Sequence, residues 1–455
     1  MYFTLAILTL IISAFLFKNA AGSLSLTKLN LHGIIFYYQL VLQAWIGVTL
    51  AIFYLDNHYI ISKIPDEKYR VITFFLVMLT MLLLPLTMVM VNKITGFDAT
   101  KEYNKYLNSP MQYLFNDKDS KVFIVVILFT IVSAISIVYT FYIIKQIPLL
   151  EAFQGKSSLE LAKIRQEASS GFEGNQYIRN LFALILMPIL SYISYAYFKI
   201  NSDKKWLILF VIQFIFTLII KTYDLSKMPV LWYLISLIIL NIIIKGKIKK
   251  KTIVISGLGL SLLVVLLYIL FFDNLKLSNF AYNVGPIGRL IFTQIAGLYF
   301  HIYVFTEKEP FLMGSSFPQW MISVFDKEHV RSASIVIEYT HPDSVEQGIA
   351  GVINTLFIGE AFANFGYLGV IISIITAGII LQLMYIVFIR LTKSPVVIAA
   401  FVYFIMNFSA IITGGIVEFV YNVGMIFVIV ICFSIYIFSK LLYEVIGRRK
   451  MRADI

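Results

Sequence analysis

The chain has a single cysteine in 455 residues, and only 14% of it is charged. Cys432 lies within the apolar run VGMIFVIVICFSIYIF, which excludes a disulfide framework and a thiolate metal cluster and marks a packed or lipid-facing thiol. Scarce charge, 60% hydrophobic residues and a mean hydropathy of +0.86 together exclude a soluble protein of this length. Other absences narrow the chemistry. There is no HExxH or paired-cysteine zinc signature, so no metal site is expected. GLGLS near Gly257 lies inside an apolar run and lacks the phosphate-binding lysine, so ATP is not implicated and no cofactor is predicted. Internal repeats and paired broken helices are missing, which weighs against a secondary transporter.

What is present is a series of long apolar runs separated by short charged loops. They predict an all-α polytopic membrane protein rather than a barrel, whose strands would alternate polar and apolar residues. Run length gives about eleven transmembrane helices in one bundle domain covering 1–455. They are 2–17, 32–55, 71–91, 122–144, 178–198, 206–220, 230–244, 252–272, 367–389, 396–412 and 417–442. The first run lacks a basic leader, and Lys18 follows it, so it is expected to stay as a helix.

The net charge of +12 requires no nucleic acid, because lysine and arginine crowd the cytoplasmic loops of membrane proteins. Lys245, Lys247, Lys249, Lys250 and Lys251 form the densest basic cluster and set the cytoplasmic side. Alternation then places 199–205, 390–393 and the tail 448–452 on that side. Two long loops, 145–177 and 273–366, face outward. Within the second, 285–303 carries Arg289, Gln294 and His301 and reads as re-entrant or interfacial.

Chemistry is sought on the outer face. The loop KQIPLLEAFQGKSSLELAKIRQEASSGFEGNQYIRN holds Arg165 and Arg179, where the positive-inside tendency should deplete cations. Arginine suits phosphate through its planar fork, although LELAKIRQEA equally fits an interfacial helix meeting lipid headgroups. Lys227, in KTYDLSKMPVL, and Arg289 are two further cations near the membrane. Lys227 could equally be a snorkelling anchor. The segment DKEHVRSASIVIEYTHPDSVEQ gathers His329, Arg331, Glu338, His341 and Glu346, the richest titratable stretch. Proline after His341 places that histidine in a loop. Finally, GIAGVINTLFIGEAFANFGYLG sets Asn354, Glu360 and Asn364 among apolar residues at the start of a long span, and a carboxylate there needs a function or a partner. The 16% aromatic content suits sugar stacking and interfacial belts alike.

GVINTLFIGEAFANFGYLGVII resembles the signature region of bacterial oligosaccharide repeat-unit polymerases, the O-antigen and capsule polymerases of the Wzy type. KQIPLL with downstream Arg165 and Arg179, and DLSKMP, are similar to the family's outward loop and "sK.p" segment. Phe362 stands where the family often has tyrosine, so no hydroxyl role carries over there. The resemblance implies a glycosyltransferase related to the membrane-embedded class that uses polyprenyl-linked donors. Its donor and acceptor would be undecaprenyl-diphosphate-linked oligosaccharides at the periplasmic face of the inner membrane. Pathway partners would be a chain-length regulator and a flippase.

Such a reaction needs cations for the diphosphate, a base for the acceptor hydroxyl and a greasy groove for the tails. The expected assignment gives Arg165, Arg179, Lys227 and Arg289 to the diphosphate, and Glu360 or His341 to the acceptor. Arg331, Glu338, Asn354 and Asn364 are further substrate contacts. Glu360 as base and Glu360 as partner of an arginine are equally compatible with the pattern. An O-antigen ligase shares the donor and the loop, and a lipid-linked oligosaccharide flippase shares the cations. A flippase would line a central membrane cavity with charge, whereas here the titratable groups gather in outer loops.

Overall fold

The computed structural model describes residues 1–64, 66–115, 120–271, 281–347 and 351–453. Residues 273–280 of the expected large loop and 348–350 at the head of the GIAGVINT stretch lie outside the described residues. In an apolar solvent every backbone N–H and C=O needs an internal partner, so the apolar runs wind into helices. In chain order these are α1 (Tyr2–Ala21), α2 (Leu31–Ile52), α3 (Glu67–Thr95), α4 (Ala99–Asn108), α5 (Ser120–Ile144), α6 (Pro148–Phe153) and α7 (Ser158–Ala168). There follow α8 (Ile178–Asn201), α9 (Lys204–Lys221), α10 (Met228–Lys245), α11 (Lys250–Phe271) and α12 (Gly285–Glu307). The last are α13 (Gln319–Ile322), α14 (Ser332–Thr340), α15 (Pro342–Glu346), α16 (Phe357–Arg390), α17 (Pro395–Ile411), α18 (Val417–Val420) and α19 (Val423–Ala453). The described residues form no strand.

Nine stretches among the described residues are long and apolar enough to cross a membrane, which makes this an all-helical protein of membrane type. Eight coincide with expected spans and the ninth is α12. The remaining expected spans fall on α9, which carries lysines at both ends, on α11, and on α17, which has only 17 residues. The chain packs as two compact units, Met1–Asn104 with Tyr268–Ile389 and Asn407–Asn422, and Lys105–Leu267 with Arg390–Met406 and Val423–Ile455.

The first unit is tied at one end by a buried polar knot. Gln382 Oε1 of α16 accepts from His32 Nε2 at 2.6 Å, and its amide N–H groups donate to Asn92 Oδ1 (2.6 Å) and the Ala20 carbonyl (3.1 Å). Tyr385 donates to the Ala21 carbonyl nearby. The tail of α1, the head of α2, the tail of α3 and the tail of α16 therefore meet at this end. Polar groups are costly to bury unless partnered, so the knot also fixes helix register.

The opposite end holds the α2–α3 connector, 53–66, and the elements that follow α11. Asn283 donates to the Asn57 carbonyl at 2.9 Å, and Lys68 pairs with Glu307 at 2.7 Å. Both ends of α12 thus meet residues beside the same connector. α12 winds without a break from Gly285 to Glu307 and packs against the middle and end of α2 and against α3. Lys63 holds the Thr340 carbonyl (3.2 Å), bringing α14 to the same place.

The second unit is packed by aromatic and hydroxyl contacts. Tyr192 stacks on Tyr233 with centroids 5.8 Å apart, Ser236 donates to the Tyr192 hydroxyl (2.6 Å), and Tyr197 stacks on Trp206 at 4.4 Å. Lys393, in the α16–α17 turn, is buried and gives its three ammonium protons to the carbonyls of Tyr106, Leu107 and Ser109 at 2.9–3.2 Å. It caps the C-terminus of α4, where carbonyls lack helical partners. Burial pulls its ammonium down to about 8.

A candidate active-site cavity in the first unit

Glu360 lies in the first turn of α16, and five residues on the helix is broken by Phe365 (φ −140°, ψ 20°) and Gly366 (φ 59°, ψ −147°). That Gly366 conformation is essentially closed to residues with a Cβ. The break gives the site-bearing turn its own direction, and Asn364 locks it. Asn364 is buried; its amide donates to Ser316 Oγ (2.8 Å) and to the Glu360 carbonyl (2.9 Å), and its Oδ1 accepts from the Gly314 N–H (3.0 Å). The backbone N–H groups of Leu312 and Met313 donate to the carbonyls of Ala363 and Asn364. The loop that carries Ser316 is therefore sewn to the turn that carries Glu360.

These elements, with α12, α14 and the 413–418 segment, enclose a cavity of about 370 Å³. Its wall includes Glu360, Glu418, His301, His329, Arg331, Ser316, Asn354 and Thr355. Phe357 N–H donates to the Ile412 carbonyl at 3.0 Å, which holds the 413–418 segment against the start of α16. Gly415 lies directly on Glu360 Oε2, in a place where a Cβ would collide. The Ser316 hydroxyl and the backbone N–H groups of Ile416 and Val417 face the Glu360 carboxylate, while Oε2 itself completes no hydrogen bond among the described residues. Glu418 is near enough to act electrostatically on Glu360, and Arg331 on Glu418. Carboxylate, second carboxylate and guanidinium thus follow one another along the wall.

His301 is fully buried in α12, and its Nδ1 lies 2.7 Å from the Gly297 carbonyl. A carbonyl only accepts, so Nδ1 carries a proton and donates to it, which leaves Nε2 as the ring's other nitrogen. No described residue satisfies that Nε2. One turn back, Gly297 is pressed against the Asn354 carbonyl with no space for a side chain, and this close approach brings Asn354 and Thr355 beside His301. Among the described residues no group of three or more His, Cys, Asp or Glu is arranged to hold a metal ion.

The other residues singled out from sequence are dispersed. His341 sits half-buried at the α14–α15 joint, 3.0 Å from Thr340 Oγ1, and is not part of the cavity wall. Partial burial, then the Lys63 ammonium, holds its imidazole below the usual range. Glu338 is exposed on α14, and Arg289 is exposed near the start of α12; burial first, and then the Arg289 charge, lowers His58. Arg165, Arg179 and Lys227 belong to the second unit. Arg165 Nε donates to the Asp224 carbonyl at 2.9 Å. Arg179 is buried, donates to the carbonyls of Ala168 and Ser169 at the end of α7, and lies over the Phe172 ring at 4.5 Å. That guanidinium is occupied as a clamp on the 145–177 loop. Lys227 is half-buried just ahead of α10.

Of the sequence candidates, the structure brings Glu360, Arg331 and Asn354 into one cavity, with Asn364 as its support. Sequence reasoning did not select Glu418, Ser316 or Thr355, and counted His301 only as a polar interruption. The signal for Glu418 was a carboxylate three residues after the pair Gly414 and Gly415, at the head of an apolar run. No protein-family model, curated protein or solved structure matches the chain.

Proposed function

We propose that the chain is a glycosyltransferase that polymerises undecaprenyl-diphosphate-linked oligosaccharide repeat units into a surface polysaccharide, at the outer face of the bacterial cytoplasmic membrane. The observation that carries the reading is the cavity beside the start of α16, where the carboxylate of Glu360, its Oε2 unpartnered among the described residues, shares a wall with Glu418 and Arg331. The motif that resembles the polymerase signature supplies Asn354, Thr355 and Glu360 to this wall.

In the proposed reaction Glu360 takes the proton of an acceptor sugar hydroxyl. The oxygen forms a bond to the anomeric carbon of the donor glycan, and the bond from that carbon to the diphosphate breaks with its electron pair on the leaving lipid diphosphate. Arg331 is placed to meet negative charge within the cavity, and Asn354 and Thr355 to hydrogen-bond sugar hydroxyls. Arg289 stands at the same end of the first unit as an additional cation for an incoming diphosphate.

Deletion of the gene tests the reading. A polymerase predicts surface core or carrier bearing single repeat units in place of the long-chain ladder. Absence of any transfer to the core would indicate a ligase, and repeat units trapped on the inner side a flippase.

A further inference from the structure

We propose that the loop between α12 and α14, around 313–325, is an anchor that rests on the bilayer surface at the end of the first unit holding the cavity. Val324, Phe325, Trp320 and Met313 are 79%, 73%, 59% and 59% exposed, as open as Leu368 (65%) on the apolar face of α16. Water-soluble loops seldom present several large apolar side chains together, and such a patch marks an interaction surface.

The loop is not a floppy segment that happens to display them. Its two arms are pinned by Val330 N–H to the Ser315 carbonyl (2.9 Å), Lys327 Nζ to the Met313 carbonyl (2.8 Å) and His329 N–H to Gln319 Oε1 (2.9 Å). Ile322, between the exposed residues, is buried and roots the turn. The apolar side chains are therefore held outward by a fixed backbone.

Position identifies the occupant as lipid. Leu312 and Met313 are bonded to the carbonyls of Ala363 and Asn364, at the level where α16 begins to expose Phe365, Tyr367, Leu368 and then Ile372. The loop's apolar side chains continue the exposed apolar surface of a candidate membrane span. Trp320 packs on Tyr421, 5.2 Å between centroids, and tryptophan and tyrosine favour the boundary between hydrocarbon and water. Asp326, Lys327 and Glu328 follow at once, giving the abrupt change from apolar to charged expected of a segment lying in the interface. This inference does not rest on the polymerase reading. If it holds, Pro318 and Ser316 at the cavity wall lie at headgroup depth, so the cavity is entered from the membrane surface.

The test is spin-label depth measurement on the full chain in phospholipid nanodiscs, with Cys432→Ser to remove the native thiol. A label at Val324→Cys should collide with oxygen more than with a water-soluble nickel chelate, giving an accessibility ratio several-fold above that of Glu328→Cys. Phe325→Cys serves as a second position if Val324→Cys fails to insert. Equal nickel accessibility at Val324 and Glu328 would place the loop in water and overturn the proposal. A label shielded from both reagents would indicate a covering protein surface or a bound polyprenyl chain, and would overturn it as well.

Discussion

Glu360 and Asn364 were both legible as polar residues placed where polarity is costly, and the structure divides their roles. Asn364 spends its amide on the Ser316 hydroxyl, the Glu360 carbonyl and the Gly314 N–H, whereas Glu360 faces a cavity. Asn364→Ala should therefore leave a buried donor and acceptor unmatched and cost about 2–3 kcal/mol in unfolding free energy. Chemical unfolding of the purified chain in detergent measures it. Lys393→Met should have a similar cost, since three carbonyls lose their donor. An unchanged midpoint for Lys393→Met would contradict the capping role.

Acid provides a further test at this scale. His58 and His341 are both held below the ordinary imidazole range, first by burial and then by Arg289 and Lys63 respectively. The unfolded chain takes up protons near pH 6.5 where the native chain resists, so stability should fall as pH drops through that value. Thermal unfolding at pH 7.5 and 5.5 should show it. Replacing both histidines with glutamine should flatten the dependence, and a steeper one would contradict it.

Helices were the most readable part of the sequence because membrane burial imposes a minimum apolar length, which α1, α3, α5 and α16 meet plainly. What hydropathy could not give is direction. α12 qualifies as a span by length and apolarity, yet Asn283, just before its start, and Glu307 at its end meet the α2–α3 side of the bundle, and only tertiary contacts reveal that. Hydropathy opens this span at 367 and leaves 357–366 in the outer loop, so it does not foresee the helical turn that carries Glu360 ahead of the break. Gly366→Ala would force a Cβ into φ 59°, ψ −147° and against Phe311, and should cost about 1–3 kcal/mol. Because the break aims the Glu360 turn, the same change should reduce polymer length even in molecules that insert normally.

At the scale of the whole molecule, the sequence supplied the membrane class, while the packing of distant segments into two compact units leaves no periodic trace in it. The candidate site shows the same limit. Glu360 and Asn354 are close in sequence, whereas Glu418 and His301 reach the cavity from segments more than fifty residues away on either side. The account accordingly centres on one carboxylate in a cavity built by four separate stretches of the first unit.

Its most direct test is the surface glycan made by cells in which Glu360→Gln replaces the native residue, alongside a check that the variant inserts at the native level. Glutamine keeps size and polarity but accepts no proton, so long-chain polymer should fall by about 10²-fold or more, leaving short glycan. A normal long-chain ladder from the fully inserted variant would contradict the central claim.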